Sequence, residues 1–230
     1  MYYNCASECS TPVMHSFSII SDDLTHDHHA VHEFTSEAIK HVRKEMTSPL
    51  TKVVLFTDGC SSQYKSKGTF ADISYAMEDH GVPIQHEYFG SRHGKGPSDG
   101  ESAVLKRMTS MPDRRHQASV TSAWEMYKFC HDHLTRGEVD DTCAHFKRTF
   151  ISRDKILRDR NREGKTLPGT RRTHSVKTVR AVDAWRNLKC FCSACVNGVG
   201  DCINSAYVHK WKEFKVGGDI NEQEQSNEGT

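Results

Sequence analysis

The chain has no long apolar run, and no window approaches the roughly 20 consecutive apolar residues of a membrane-spanning helix. Met1-Tyr2-Tyr3-Asn4-Cys5 supplies neither the basic nor the apolar region of a secretory signal. There is no Gly-x-Ser-x-Gly elbow, no Walker loop, no dinucleotide fingerprint and no internal repeat. A membrane protein, a P-loop enzyme, a serine-elbow hydrolase and a repeat scaffold are therefore set aside. Without an export signal the expected compartment is nuclear or cytoplasmic. Nine cysteines are then expected as reduced thiols or metal ligands rather than disulfides.

What is present is an apolar content of 36% and a mean hydropathy of -0.68, low for a compact domain but not a sign of disorder. A chain of 230 residues suits one ordinary domain, or one with a small appendage. A formal charge of +1 conceals opposed stretches: Glu8 to Glu37 is mostly acidic, whereas basic residues dominate from Lys147 to Arg172. The basic excess is compatible with a polyanionic partner, although a solvated surface is the commoner meaning of one charge run. After Val216 every charge is acidic among Asn, Gln, Gly and Ser, a composition that predicts disorder over 216–230.

The stretch from Val53 to Arg107 organises the rest. Val53-Val54-Leu55-Phe56, between Pro49 and Gly59, reads as a buried strand ending in Thr57-Asp58-Gly59. Thr69 to His80 reads as a helix with Phe70, Ile73 and Met77 inward, stopped by Gly81. Val82 to Phe89 is the next strand, with Pro83 at its start where no ladder donor is needed. It runs into His93-Gly94-Lys95-Gly96-Pro97-Ser98-Asp99-Gly100-Glu101 and a helix from about Ser98 to Met108 that stops before Pro112. The pattern predicts an α/β unit of two parallel strands joined by a helix. Asp58 then faces Asp99 or Glu101 at the sheet edge where such folds place ligands. Upstream, Met14 to Ile20 alternates like a strand. Val31, Phe34, Ala38, Ile39, Val42 and Met46 mark a helix closed by basic Arg43 and Lys44. Downstream, Ser122 to Leu134 reads as a helix and Val176 to Leu188 as a helix or strand.

Clustered carboxylates at strand ends can hold divalent cations that activate water and stabilise a leaving oxygen. Apposed without a cation they repel, and one tends to protonate. The competing reading makes Asp58-Gly59 and Asp99-Gly100 simple turns. Lys95, between a strand and a helix start, is a candidate phosphate contact, because an anion there meets free backbone donors. An ordinary turn explains the same residues. His26, His28, His29 and His32 crowd a helix entrance, and His28 and His32 are four apart, as zinc ligands can be. Surface histidines are the commoner reading, and no helical zinc-protease motif is formed. The sharpest signal is Cys190, Cys192, Cys195 and Cys202, four thiols within thirteen residues that can close a tetrahedral zinc site, with His209 in reserve. Buried inert thiols are the alternative. A filled site would contribute on the order of 10 kcal/mol of apparent folding free energy.

Four segments carry a resemblance: Ser21-Asp22-Asp23-Leu24-Thr25-His26-Asp27, Thr57 to Lys65, His93 to Gly100, and Cys190-Phe191-Cys192. From about residue 1 to Trp211 the chain resembles a large group of animal proteins that look like relatives of DDE-type transposases, derived from transposable elements. The resemblance implies an RNase H-like core in which residues 1–3 end the second strand. Met14–Ile20, Val53–Phe56 and Ile84–Phe89 would then form the third, fourth and fifth. Asp58 becomes the second acidic ligand and Asp99 or Glu101 the third, holding Mg2+ or Mn2+ for DNA strand cleavage and transfer. Lys65, Lys95, Arg171 and Arg172 become phosphate contacts on a DNA partner.

The first strand of that fold, with its first catalytic Asp, is expected before Met1. The expected fold is therefore α/β, a partial RNase H-like mixed sheet with flanking helices that lacks its first strand, plus a small Cys-rich module. The expected organisation is a core over 1–136, a basic helical or linker region over 137–189, a zinc knuckle over 190–215 and an acidic tail over 216–230. A fragment of this kind is expected to be inactive alone. The alternative is a non-catalytic, zinc-stabilised module that binds nucleic acid or protein.

Overall fold

The computed structural model describes residues 2–3, 13–46, 48–90, 96–114, 120–134, 145–160, 162, 164–167, 169–179, 182–197 and 200–214. The chain is mixed α/β and divides into two compact units, Met1–Leu50 with Arg92–Arg158, and Thr51–Ser91 with Asp159–Thr230. Strands β1 (Tyr2–Tyr3) and β2 (Val13–Ser21) and helix α1 (His28–Glu45) open the first unit. Strand β3 (Val53–Thr57), helices α2 (Lys67–Ser74) and α3 (Ala76–His80) and strand β4 (Ile84–Tyr88) belong to the second. The chain returns to the first with α4 (Pro97–Arg114), α5 (Ala123–Leu134), β5 (His145–Ile151) and a 3-10 turn, η1 (Arg153–Lys155). Elements η2 (Thr170–Arg172), β6 (Ser175–Val179), β7 (Val182–Arg186), α6 (Ser193–Asn197), α7 (Ser205–Val208) and β8 (Lys212–Phe214) complete the second.

In the first unit β2 lies between β1, antiparallel to it, and β5, parallel to it with Ile20 opposite Phe150. Ile20 packs with Leu105 of α4 and Cys130 of α5, and Ala30 of α1 packs with Ile151 and Ile156. Two of the helix starts here follow plainly from local sequence. The Asp27 carboxylate accepts from the Ala30 amide to cap α1, and Ser122 and Glu125 exchange hydrogen bonds in a capping box at α5.

In the second unit the strand order is β3-β4-β6-β7-β8; β3 and β4 are parallel and the remaining pairs antiparallel. Phe70, Ala71 and Ile73 of α2 pack with Tyr88, Leu167, Val176 and Trp185 on one face of this sheet. Register puts Val54 and Phe56 opposite Gln85 and Glu87, and Glu87 opposite Ser175, which is opposite Arg186. Since pleating turns alternate side chains to opposite faces, these residues form the second face.

Several expectations change. Strand β3 is an edge strand rather than a buried one, because among the described residues its outer side has no strand partner; Val54 and Phe56 are 38% and 46% exposed. The helix expected over Thr69–His80 breaks at Tyr75 (φ -90°, ψ 8°), and the phase shift buries Ala76 and His80 while Met77 is 55% exposed. Helix α4 runs past Pro112 to Arg114 instead of stopping before it. The span 137–189, expected as helical or linker, supplies β5, β6 and β7. The third strand of the expected core lies in one sheet, and the fourth and fifth lie in another. The tail 216–230 falls outside the described residues.

Candidate metal centre and acidic strand end

After β7 the chain turns so that Cys190, Cys192 ahead of α6, Cys195 within it and Cys202 ahead of α7 converge, all four sulfurs lying within 4.8 Å of one another. Cys202 Sγ is 3.7 Å from Cys190 Sγ and 3.8 Å from Cys192 Sγ. Metal–sulfur bonds of ~2.3 Å in a regular tetrahedron place sulfurs about 3.8 Å apart. The tetrad could hold a metal such as zinc, and no open coordination position would remain for a substrate. His209 is exposed and stands outside the tetrad, at φ 60°.

The surroundings favour thiolate. The Asn204 amide, 3.3 Å from Cys190 Sγ, and the Cys192 backbone N–H lower the Cys190 pKa to about 6. The Cys195 N–H does most to lower that of Cys192. Desolvation first, and then the other sulfurs, push Cys202 up to about 12, so four bare thiols do not ionise together. A cation would remove that conflict by holding all four as thiolates.

Countercharge is already in place. Arg186 is 2% exposed and donates from Nη1 to Cys195 Sγ at 3.5 Å and from Nη2 to the Cys190 carbonyl at 3.3 Å, while its guanidinium lies 4.2 Å from the Trp211 ring. The ammonium groups of Lys52 and Lys177 also feel Cys195, and desolvation lowers the pKa of both. Glu87 is fully buried among these cations; Ser175 donates to it at 2.6 Å and Gln85 also donates to it, while desolvation raises its pKa. Lys189 acts on Glu87 as well, so four cations against one carboxylate leave an excess of positive charge, most of which a zinc–tetrathiolate dianion would offset. Sequence reasoning found the cysteines and missed Arg186, Lys52 and Lys177. The available signal was an arginine four residues before Cys190.

Asp58 lies at the end of β3, exposed, with Oδ1 accepting from the Cys60 amide at 3.0 Å in an Asx turn. The Thr57 hydroxyl donates to the Asp58 carbonyl at 2.9 Å, which leaves its oxygen to accept from His86 Nε2 at 2.8 Å. Burial depresses the His86 pKa to about 3, so the ring is neutral. Lys65 arches over Gly59, where an added Cβ would lie 3.2 Å from its Nζ, and rests 4.7 Å from the Tyr88 ring centre. Lys65 is thus half-buried against an aromatic ring, and desolvation lowers its pKa.

Asp99 and Glu101 lie in the first turns of α4. Asp99 Oδ2 accepts from the Gly96 amide at 3.0 Å, capping a helix whose first residue is Pro97. Asp58 belongs to the second unit, and Asp99 and Glu101 belong to the first. Lys95 falls outside the described residues.

The acidic motif Ser21–Asp27 is structural. Asp22 accepts from the Arg153 amide at 2.7 Å, and Arg158 reaches Asp23 at 2.7 Å and Asp27 at 2.9 Å. Desolvation opposes it, yet the Ala30 amide and Arg158 hold the Asp27 carboxyl low. At the start of α1 the His28 and His29 rings are 3.9 Å apart.

Several charges of the basic span are paired within their own units. Lys147 meets Glu45, Arg160 meets Asp72, and Arg162 meets Glu78 and Asp79 while covering Tyr75. Arg171 and Arg172, on the 3-10 turn η2, remain exposed.

The chain belongs to the family described as a domain of unknown function, DUF8701, which matches residues 1–184. No curated protein and no solved structure matches the chain. The cysteine tetrad begins at Cys190, past the matched residues.

Proposed function

We propose that the chain is a zinc-stabilised nucleic-acid-binding protein descended from DDE-type transposases, which binds its polyanion without cutting it. The observation that carries this reading is the sulfur tetrad at tetrahedral spacing beside a buried arginine. Bound zinc would supply rigidity, tying the end of β7 to the segment leading into β8. Cys190, Cys192, Cys195 and Cys202 would hold it, and Arg186 would offset its charge.

Binding rests on Arg171 and Arg172, which are exposed and carry charge towards solvent. Contacts of this kind confer salt-sensitive affinity with little sequence choice. In the ancestor Asp58 and Asp99 or Glu101 would have held Mg2+ or Mn2+. Here Asp58 holds a turn and Asp99 caps a helix, work that needs no cation.

The test is DNA binding by the zinc-loaded protein in magnesium-free buffer. Equal affinities for wild type and Asp58→Ala, with weakened binding on reversing the charge of Arg171 and Arg172, are the expected results. Magnesium-dependent strand cleavage abolished by Asp58→Ala would overturn the reading.

A further inference from the structure

Within the second unit, the sheet face that carries Arg186 ends at its β3 edge in exposed aromatic surface. Phe56 is 46% exposed and Phe191, between two of the cysteines, is 49% exposed; their ring centres are 5.6 Å apart. Half-buried Phe89 lies 6.0 Å from Phe56. The Lys189 ammonium sits between these rings, 5.7 Å from the centre of Phe56 and 5.2 Å from that of Phe89. Exposed Val54 and Val196 extend the patch, and Lys52 donates to the Val196 carbonyl at 3.2 Å. Lys52 faces Glu87 and Cys195, whereas Lys189, which acts on Glu87 and donates to the Tyr88 carbonyl at 3.4 Å, is in no ion pair among the described residues and carries the positive charge left over once a zinc–tetrathiolate dianion is counted. Paired exposed rings beside one surplus positive charge suit a ligand with both flat π-faces and negative charge.

The geometry points to this face as a stacking platform for single-stranded nucleic acid. Two successive bases rest on Phe56 and Phe191, and the phosphate between them meets Lys189. Single strands fit because their bases are free to stack; in a duplex the π-faces are already covered. An apolar protein segment would fit the rings and valines but would leave the surplus charge at Lys189 without countercharge. The inference rests on the nucleic-acid reading above and specifies its ligand. Because Phe191 lies between Cys190 and Cys192, the sulfur tetrad fixes one of the two rings.

The experiment is fluorescence anisotropy of the zinc-loaded full chain with a labelled thymidine oligonucleotide and with a duplex of equal length. The single strand is expected to bind more tightly. Phe56→Leu and Phe191→Leu, which keep apolar bulk and remove the π-face, are each expected to weaken it roughly 5- to 150-fold. Phe56→Trp and Phe191→Trp restore affinity, and Lys189→Gln flattens the logarithmic salt slope by about 0.7. Thiolate absorption of the cobalt-substituted protein reports that each variant keeps its tetrad. If a leucine variant loses that absorption, the tryptophan and Lys189→Gln proteins decide the matter. Wild-type binding that leucine variants leave unchanged would overturn the platform while sparing the nucleic-acid reading. Failure of wild type to bind either nucleic acid would overturn both. Self-association abolished by the leucine variants would assign the face to a second copy of the chain.

Discussion

Asp183 offers a stringent check on the packing that supports the cysteine module. Its carboxyl is 1% exposed, between the Ser74 hydroxyl at 2.7 Å and the Thr178 hydroxyl at 2.9 Å. Desolvation outweighs both hydrogen bonds and raises its pKa from 3.8 to about 6. Below pH 3.8 the group is protonated in both folded and unfolded chains and has no pH-dependent effect. As pH rises towards 6 the unfolded chain loses its proton first, so stability falls; above 6 the loss is complete. A rise of this size means that ionising the buried carboxyl costs the folded state about 3 kcal/mol. Asp183→Asn cannot ionise and keeps an acceptor for one hydroxyl, while the other hydroxyl can turn to accept from the amide. The variant is expected to gain about 3 kcal/mol on wild type between acidic and neutral pH. Urea unfolding of both proteins at each pH measures this, and effects of acid on the cysteines cancel in the comparison. A stability difference that does not change with pH would refute the buried, charged carboxylate.

Other outcomes follow from particular contacts. Arg158→Ala is expected to destabilise the first unit by about 2 kcal/mol, because Asp23 and Asp27 lose their shared partner. Arg153→Ala, which removes an exposed pair with Asp154, should cost less than about 1 kcal/mol in the same denaturation experiment. Gly164→Ala should cost about 1–3 kcal/mol in thermal unfolding, because its Cβ would lie 2.7 Å from the Lys67 carbonyl oxygen and the backbone must move. In metal-stripped protein at neutral pH, iodoacetamide should label Cys190 before Cys202, since their pKa values are about 6 and about 12. Mass spectrometry of timed quenches gives the order, and the reverse order would contradict the hydrogen bonds assigned to Cys190.

Strand β3, the helical crossing to β4 and helix α1 were legible because their signals are local. They are a β-branched run, a Gly81 stop at φ 61° and apolar residues at helical spacing from Val31 to Met46. Strand β5 was not, and β6 and β7 were read only as one span, a helix or a strand. Their polar residues satisfy one another across the sheet, as Ser175 does with Glu87 and Thr178 with Asp183, so burial no longer follows apolar periodicity. The cysteine tetrad was readable from spacing, whereas its counterions come from β7, β6 and the residue before β3 and meet only through strand pairing. The pairing within the basic span was hidden for a similar reason. A run of arginines in sequence does not reveal that aspartates on α2 and α3 are waiting for them.

Metal analysis of the purified chain bears most directly on the sulfur tetrad. One zinc per chain is expected, replaceable by cobalt with tetrahedral thiolate absorption, and lost together with thermal stability in Cys190→Ser and Cys202→Ser. Absence of bound metal after zinc reconstitution, or full metal occupancy in both serine variants, would contradict the account.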